Sequence, residues 1–175
     1  QALIERTGDP ALQLVAPTIL PFGAYRVIDY LVRASATVGE GVTRFSRFFA
    51  LIADALTLSI ESDADYYCLR LARADGSAVP PVYVGRIRMA IRPQLRVQYV
   101  ELRRLPPADP APYEACFQSP VRFQAGHDRL CFTPGEWASP IEGADAALAQ
   151  VLEEHARMLS ARLPEAATDF VSQVR

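Results

Sequence analysis

The chain has 175 residues, half of them apolar, and a net charge of −2. That length and apolar content suit one globular domain with a sizeable core and exclude a disordered chain. No apolar run approaches the length of a bilayer span, and the opening QALIERTGDP lacks the basic start and apolar centre of a signal peptide. Gln1 is an unusual natural start, so an excised fragment is expected. All 18 basic residues are arginine, and lysine and asparagine are both absent; codon bias in a GC-rich genome accounts for this. The arginines are scattered among 20 acids, so no basic nucleic-acid face is expected. Cys68, Cys116 and Cys131 form no CxxC pair, which points to a reducing compartment and buried thiols and away from a disulfide framework.

In chain order, Asp9 followed by Pro10 marks a helix start, with Asp as cap and Pro in the first turn, and that helix ends before Pro17. Ala24 to Ala34 is expected to be helical, with Tyr25, Ile28, Leu31 and Val32 on one side. SATVGE then offers a capping box: Thr37 accepts from the N–H of Glu40 while the Glu40 side chain reaches back. Behind it Val38, Val42, Phe45, Phe49 and Ile52 form one helical stripe. Gly39 and Gly41 weaken the first turn. Arg44 and Arg47 fall off the stripe and are expected in solvent.

The period then changes from helical to alternating. Leu56, Leu58 and Ile60, the turn SDAD, and Tyr67, Leu69 and Leu71 read as an antiparallel hairpin, closed by Asp75-Gly76. A helix over VYVGRIRMAIR follows Pro80-Pro81, with Val84, Ile87 and Ile91 as its stripe, and Pro93 ends it. A strand is expected over Arg96 to Leu102 and one or two helical turns over Tyr113 to Phe117. Val121 with Phe123, and Leu130 with Phe132, predict a second hairpin around AGHD. The last helix runs from about Ala144 to Leu163, where Pro164 stops it, and Glu165 to Arg175 starts another. The fold class is therefore α+β: a mainly antiparallel sheet, two hairpins plus a further strand, packed with several helices, the longest of them C-terminal.

No GxSxG, HExxH, P-loop or GxGxxG phrase occurs, and no spacing pairs a nucleophile with a base. No catalytic residue, cofactor or enzymatic activity is therefore expected. His127, Asp128, Cys131 and Cys116 match no metal-ligand spacing, so no metal site is expected either. The residues that remain suit binding. Phe45, Phe48 and Phe49 read first as core packing and second as the wall of an apolar ligand pocket. Tyr25, Tyr67 and Tyr83, with Tyr66, offer hydroxyl anchors, and Arg26 and Arg88 offer bidentate partners for a ligand carboxylate. Each has ordinary surface or half-buried packing as its plainer reading. Leu148, Val151, Leu152, His155, Met158 and Leu159 line one stripe of the last helix, at the spacing of a packing seam. Packing on the domain's own sheet and a homodimer seam both fit that stripe. Trp137 is expected to be a lid on the core.

Three phrases, in order, carry a family resemblance. They are TGDPALQL continuing to PFGAYRVIDYLVRASATVGEGVTRFSRFFALI, then LRVQYVELRRLPPADPAPYEACFQSPVRFQAGHDRLCF, then PIEGADAALAQVLEEHARML. Over nearly the whole chain they resemble the arabinose-binding-like N-terminal regulatory domain of AraC/XylS transcription regulators. The resemblance implies a cytoplasmic domain, residues 1–163, that detects an unknown small-molecule effector, holds a homodimer, or both. It implies that DNA is contacted only through a C-terminal pair of helix-turn-helix units, with residues 164–175 as the start of the linker to them. No membrane partner is implied. A purely structural dimerisation domain without ligand is the alternative, and a small enzyme comes third. With no asparagine, the sequence displays no sugar-binding constellation.

Overall fold

A computed structural model describes Leu14, residues 22–53, 56–62 and 65–79, Ile91, and residues 97–162. The predicted helices after Pro10 and after Pro81 lie outside the described residues except for Leu14 and Ile91, both buried. The segment from Leu163 onward lies outside them too. Five helices and a five-stranded sheet are seen among the described residues. No helix there is long and apolar enough to cross a membrane.

Helix α1 spans Val27–Arg33. It starts later than its apolar spacing predicts, because the chain first makes a turn in which Gly23 has φ 88° and Arg26 φ 50°. The Asp29 carboxylate holds this turn by accepting from the N–H groups of Gly23 (2.9 Å) and Tyr25 (3.0 Å). Helix α2, Val38–Phe48, begins at Thr37, whose hydroxyl accepts from the N–H of Glu40 at 3.2 Å. The Glu40 carboxylate reaches back one residue further than a capping box requires, to the N–H of Ala36 at 3.3 Å. After Phe48 the helix tightens into a 3-10 turn, Phe49–Leu51. Val38, Val42, Phe45 and Phe49 are buried as their period predicts, and Ile52 is half-buried.

Strands β1 (Leu56–Ser62) and β2 (Tyr67–Arg73) form the expected antiparallel hairpin, running from Leu56 opposite Arg73 to Ser62 opposite Tyr67. Strand β3 is Tyr99–Glu101, followed by helix α3, Ala111–Phe117, strand β4, Val121–Arg122, and strand β5, Asp128–Phe132. The strand order is β1-β2-β5-β3-β4.

The second predicted hairpin is not formed. Strand β5 pairs antiparallel with both β2 and β3, and β4 pairs parallel with the far edge of β3. The chain from Pro120 to Ala125 follows β3: Val100 donates to Pro120, Leu102 to Arg122, Gln124 to Arg104, and Ala125 to Leu102. Alternation in two short runs shows only that each is extended. It does not reveal that a third strand inserts between them.

The cysteine reading is corrected as well. Cys68 and Cys131 stand directly opposite each other on β2 and β5 and are joined in a disulfide, leaving Cys116 as a free thiol. Their Cα atoms are 4.2 Å apart. The Cys131 carbonyl is turned away from β2, accepting from the N–H of Gln98. The two cysteines are thus a non-hydrogen-bonded pair, the narrow kind in which antiparallel side chains come closest. Sequence spacing cannot reveal this, because the register of β2 on β5 brings together residues 63 positions apart.

Helix α4, Pro134–Trp137, carries a capping box, with Thr133 as cap and Glu136 reaching back. Helix α5, Ala146–Ser160, is capped by the Asp145 carboxylate, which accepts from the N–H of Leu148. It does not lie on the sheet. It packs on α1, α2 and the 3-10 turn, and its buried contacts are the small side chains Ala149 and Ala156, which let helix axes approach closely. The core lies between this helical layer and the inner face of the sheet, around Ile28, Leu31, Phe45, Leu69, Leu71, Phe117 and Phe132.

Candidate functional site

Where α5 crosses the start of α1, an open cleft of about 700 Å³ is left between the two helices and the 3-10 turn. Its walls are apolar: Val27, Ile28, Leu51, Ile52 and Leu159. Tyr25, Arg26 and His155 complete the lining with a phenol, a guanidinium and an imidazole. A mostly apolar concavity with a few polar groups is the usual form of a small-molecule site.

Local backbone chemistry places Arg26 there. The N–H of Ile28 donates to the Tyr25 carbonyl at 3.1 Å, so Arg26 is the first central residue of a four-residue turn. With φ 50° and ψ −128° it takes a position that favours glycine. Holding a non-glycine residue in such a sparsely populated conformation costs about 1–3 kcal/mol, and such residues cluster at functional sites. Beneath the turn Asp29 is 1% exposed. One of its oxygens is used by the turn, and the other, Oδ1, is buried without a hydrogen-bond partner among the described residues.

On the other side of α5, Glu153 gathers three guanidinium groups: Arg44 at 3.0 Å, Arg47 at 2.8 Å and Arg157 at 2.6 Å. Desolvation opposes its charge. The hydrogen bond from Arg44 and the fields of Arg157, Arg44 and Arg47 outweigh it, so the carboxyl titrates below the ordinary glutamate value. Of the two arginines expected in solvent, Arg47 is exposed, its side chain 53% accessible, and pairs with Glu153 from there, while the Arg44 side chain is only 20% accessible, which corrects the expectation for Arg44. Both lie off the apolar stripe of α2 because they face α5, and Arg44 also donates to the Ser35 hydroxyl at 2.8 Å. Arg44, Arg47, Glu153 and Trp137 line a second, polar cleft of about 430 Å³.

The structure separates the other candidate residues. Phe45, Phe48 and Phe49 are 0%, 3% and 4% exposed, inside the core. Tyr25 meets Phe45 at 6.2 Å and Phe45 meets Phe49 at 5.5 Å, so an aromatic ladder runs from the cleft into the core and only its first ring lines the cleft. Tyr67 stacks on Trp137 instead, with ring centroids 4.7 Å apart and planes 9° from parallel. Trp137 also meets Phe132 edge to face. Tyr83 and Arg88 lie outside the described residues.

The stripe of α5 divides in two. Leu152 and Leu159 are half-buried beside Ala149 and Ala156. Leu148, Val151 and Met158 point outward, 46%, 64% and 53% exposed. His155, exposed, sits between Val151 and Met158 on the helix and also lines the cleft. Leu51 and Val27 were not predicted as site residues, and neither carries a local signal that marks it.

His127 is half-buried at its turn, and Asp128 is 2% exposed, accepting from the N–H groups of Val79 and Arg103, both at 2.9 Å. Among the described residues no group of three or more His, Cys, Asp or Glu side chains is placed to hold a metal ion.

The family profile described as the arabinose-binding domain of AraC transcription regulators, N-terminal, matches residues 1–141. The chain belongs to this family. This AraC-type domain is also similar in fold to a solved structure, the transcriptional regulator CdpR from Pseudomonas aeruginosa, with a TM-score of 0.65 at 19% sequence identity. The alignment covers 86% of this chain and 52% of CdpR, so the chain spans about half the length of that regulator. A comparison with curated proteins returned no significant match. The family match ends at Ile141, just before α5, so the helix that closes one side of the cleft and carries the exposed stripe lies beyond it.

Proposed function

We propose that this AraC-type domain senses a small-molecule effector in the cleft of Tyr25, Arg26 and His155, and that it forms a homodimer through the outward face of α5. The observation that carries this reading is that one helix serves both places. Leu159 and His155 line the cleft, while Leu148, Val151 and Met158 form an exposed apolar row on the same helix. A ligand that binds one pose of α5 better than another shifts the population of that pose, and with it the face offered to a second copy. The domain does no chemistry in this reading. DNA is read by a helix-turn-helix region outside this sequence. The description of CdpR as a transcriptional regulator, and the share of it that this chain leaves uncovered, support that last point. Arabinose, the sugar in the family's description, is not favoured as effector, because the cleft walls are aliphatic and display no amide or carboxylate side chain.

The test joins two measurements on the chain. A metabolite panel is screened by thermal shift, and sedimentation is run with and without each hit. The reading expects at least one compound to raise the melting temperature and to alter the monomer–dimer equilibrium. A dimer that no compound affects would instead favour a structural dimerisation domain, a role that the exposed row on α5 also supports.

A further inference from the structure

We infer that the effector is an apolar carboxylate: a compact aromatic or short-chain acyl body ending in a carboxylate, the charged end held by Arg26 and His155. This rests on the cleft being the effector site and adds the class of ligand that it takes. Three features of the cleft lead to it. The lining has a guanidinium and an imidazole but no acidic side chain. The nearby Asp29 carboxylate is turned beneath the turn, into the N–H groups of Gly23 and Tyr25, and does not line the cleft. The rest of the lining is apolar, with Ile28, Leu51, Ile52 and Leu159 offering a ligand body contact area and no side-chain hydrogen bonds.

Arg26 itself strengthens the case. Elsewhere in the described chain many arginines are engaged with carboxylates: Arg44, Arg47 and Arg157 with Glu153, Arg70 with Glu61, Arg73 with Asp75, and Arg129 with Glu101. Arg26 has no such partner among the described residues, is exposed at the cleft, and sits in a backbone conformation that glycine fills better. A guanidinium with that geometry presents paired donors to a carboxylate, and an anion is the ligand that such an uncompensated donor set selects. A cleft of about 700 Å³ holds a molecule of drug size.

Glycine suits the Arg26 backbone, so Arg26→Gly removes the guanidinium without straining the turn and supplies a variant that folds. Two matched pairs are titrated calorimetrically into the chain and into this variant: 3-phenylpropionate with 3-phenylpropanamide, and octanoate with octanamide. The acids are expected to raise the melting temperature and to bind roughly ten-fold or more tightly than their amides, and Arg26→Gly is expected to erase that preference. His155→Gln is expected to weaken acid binding and leave amide binding unchanged. Equal binding of acid and amide, or a preference that survives Arg26→Gly, overturns the proposal. So does the absence of binding by both acids. In that last case, hits of neutral or cationic chemistry from the metabolite panel would leave the effector reading standing, and a panel without hits would remove it too.

Discussion

Two side-chain contacts set the geometry of the helical layer, and each makes a prediction. Gly39, on the first turn of α2, lies under the indole of Trp137, where an added Cβ would collide with the ring. In the sequence Gly39 reads only as a weak point in a helix; its reason is a tertiary contact that local pattern cannot register. Gly39→Ala is expected to cost about 1–3 kcal/mol through overpacking and to break the Trp137–Tyr67 stack. The chain has one tryptophan, so its emission spectrum reads the change directly, and an unaltered spectrum with unaltered stability would count against the contact. Glu153 is the other case. Its folded-state pKa lies below the ordinary value of 4.5, so its ionised form contributes stability that is complete above that pH and fades as the pH falls through the folded value. Glu153→Gln is expected to lower the melting temperature at neutral pH, with the gap to the parent chain closing on acidification. A constant gap would mean that the three arginines add no charge-dependent stability. The apolar stripe of α2 does not reveal that Arg44 and Arg47 pair with Glu153, because a one-dimensional stripe separates core from non-core and does not distinguish solvent from a neighbouring helix.

Helices and strands differ in how far their local pattern determines their partners. The helical periods of α1 and α2 correctly indicate which positions are buried, since burial on a helix follows its own repeat, whereas on α5 the period marks an apolar stripe of which Leu148, Val151 and Met158 stay exposed. Strand pairing does not. The runs around Val121 and Leu130 are extended as expected, yet they pair with β3 and not with each other. The same register sets Cys68 against Cys131. That cross-link closes a loop of 63 residues, and in the chain-entropy view it stabilises the fold by about 4 kcal/mol. Treatment with reductant is expected to lower the melting temperature accordingly, and replacing both cysteines by alanine is expected to match the reduced protein. Three titratable thiols in the denatured, unreduced chain would contradict the pairing. For α5, Val151→Glu places a charge in the middle of its exposed row, 64% accessible in the single chain. On the proposed α5 dimer, the variant is expected to keep the fold and to sediment as a monomer at concentrations where that proposal has the parent chain paired. A variant dimer of unchanged strength would move the interface elsewhere.

At the scale of the whole domain, the α5 layer bridges the cleft and the outward row, and Glu153 clamps it to α2 through Arg44 and Arg47. A ligand in the cleft is expected to slow hydrogen exchange in α5 as well as in the turn around Arg26, because both line the same cavity; protection confined to the turn would argue against coupling through the helix. The amino-acid order alone determined much of this protein: the α+β class, the first hairpin, the cap at Thr37, the apolar faces of α1 and α2, and the regulator family, whose profile matches residues 1–141. These are properties of neighbours within a few residues, or of pattern summed along the chain. Only the tertiary structure decided the strand order, the disulfide, the partners of Arg44 and Arg47, and which of the candidate residues share a cavity. Tyr25 and Arg26 share a cleft with His155 because α5 packs across the start of α1. Bringing positions some 130 residues apart in sequence to one cavity depends on the packing of whole elements, which no local spacing encodes.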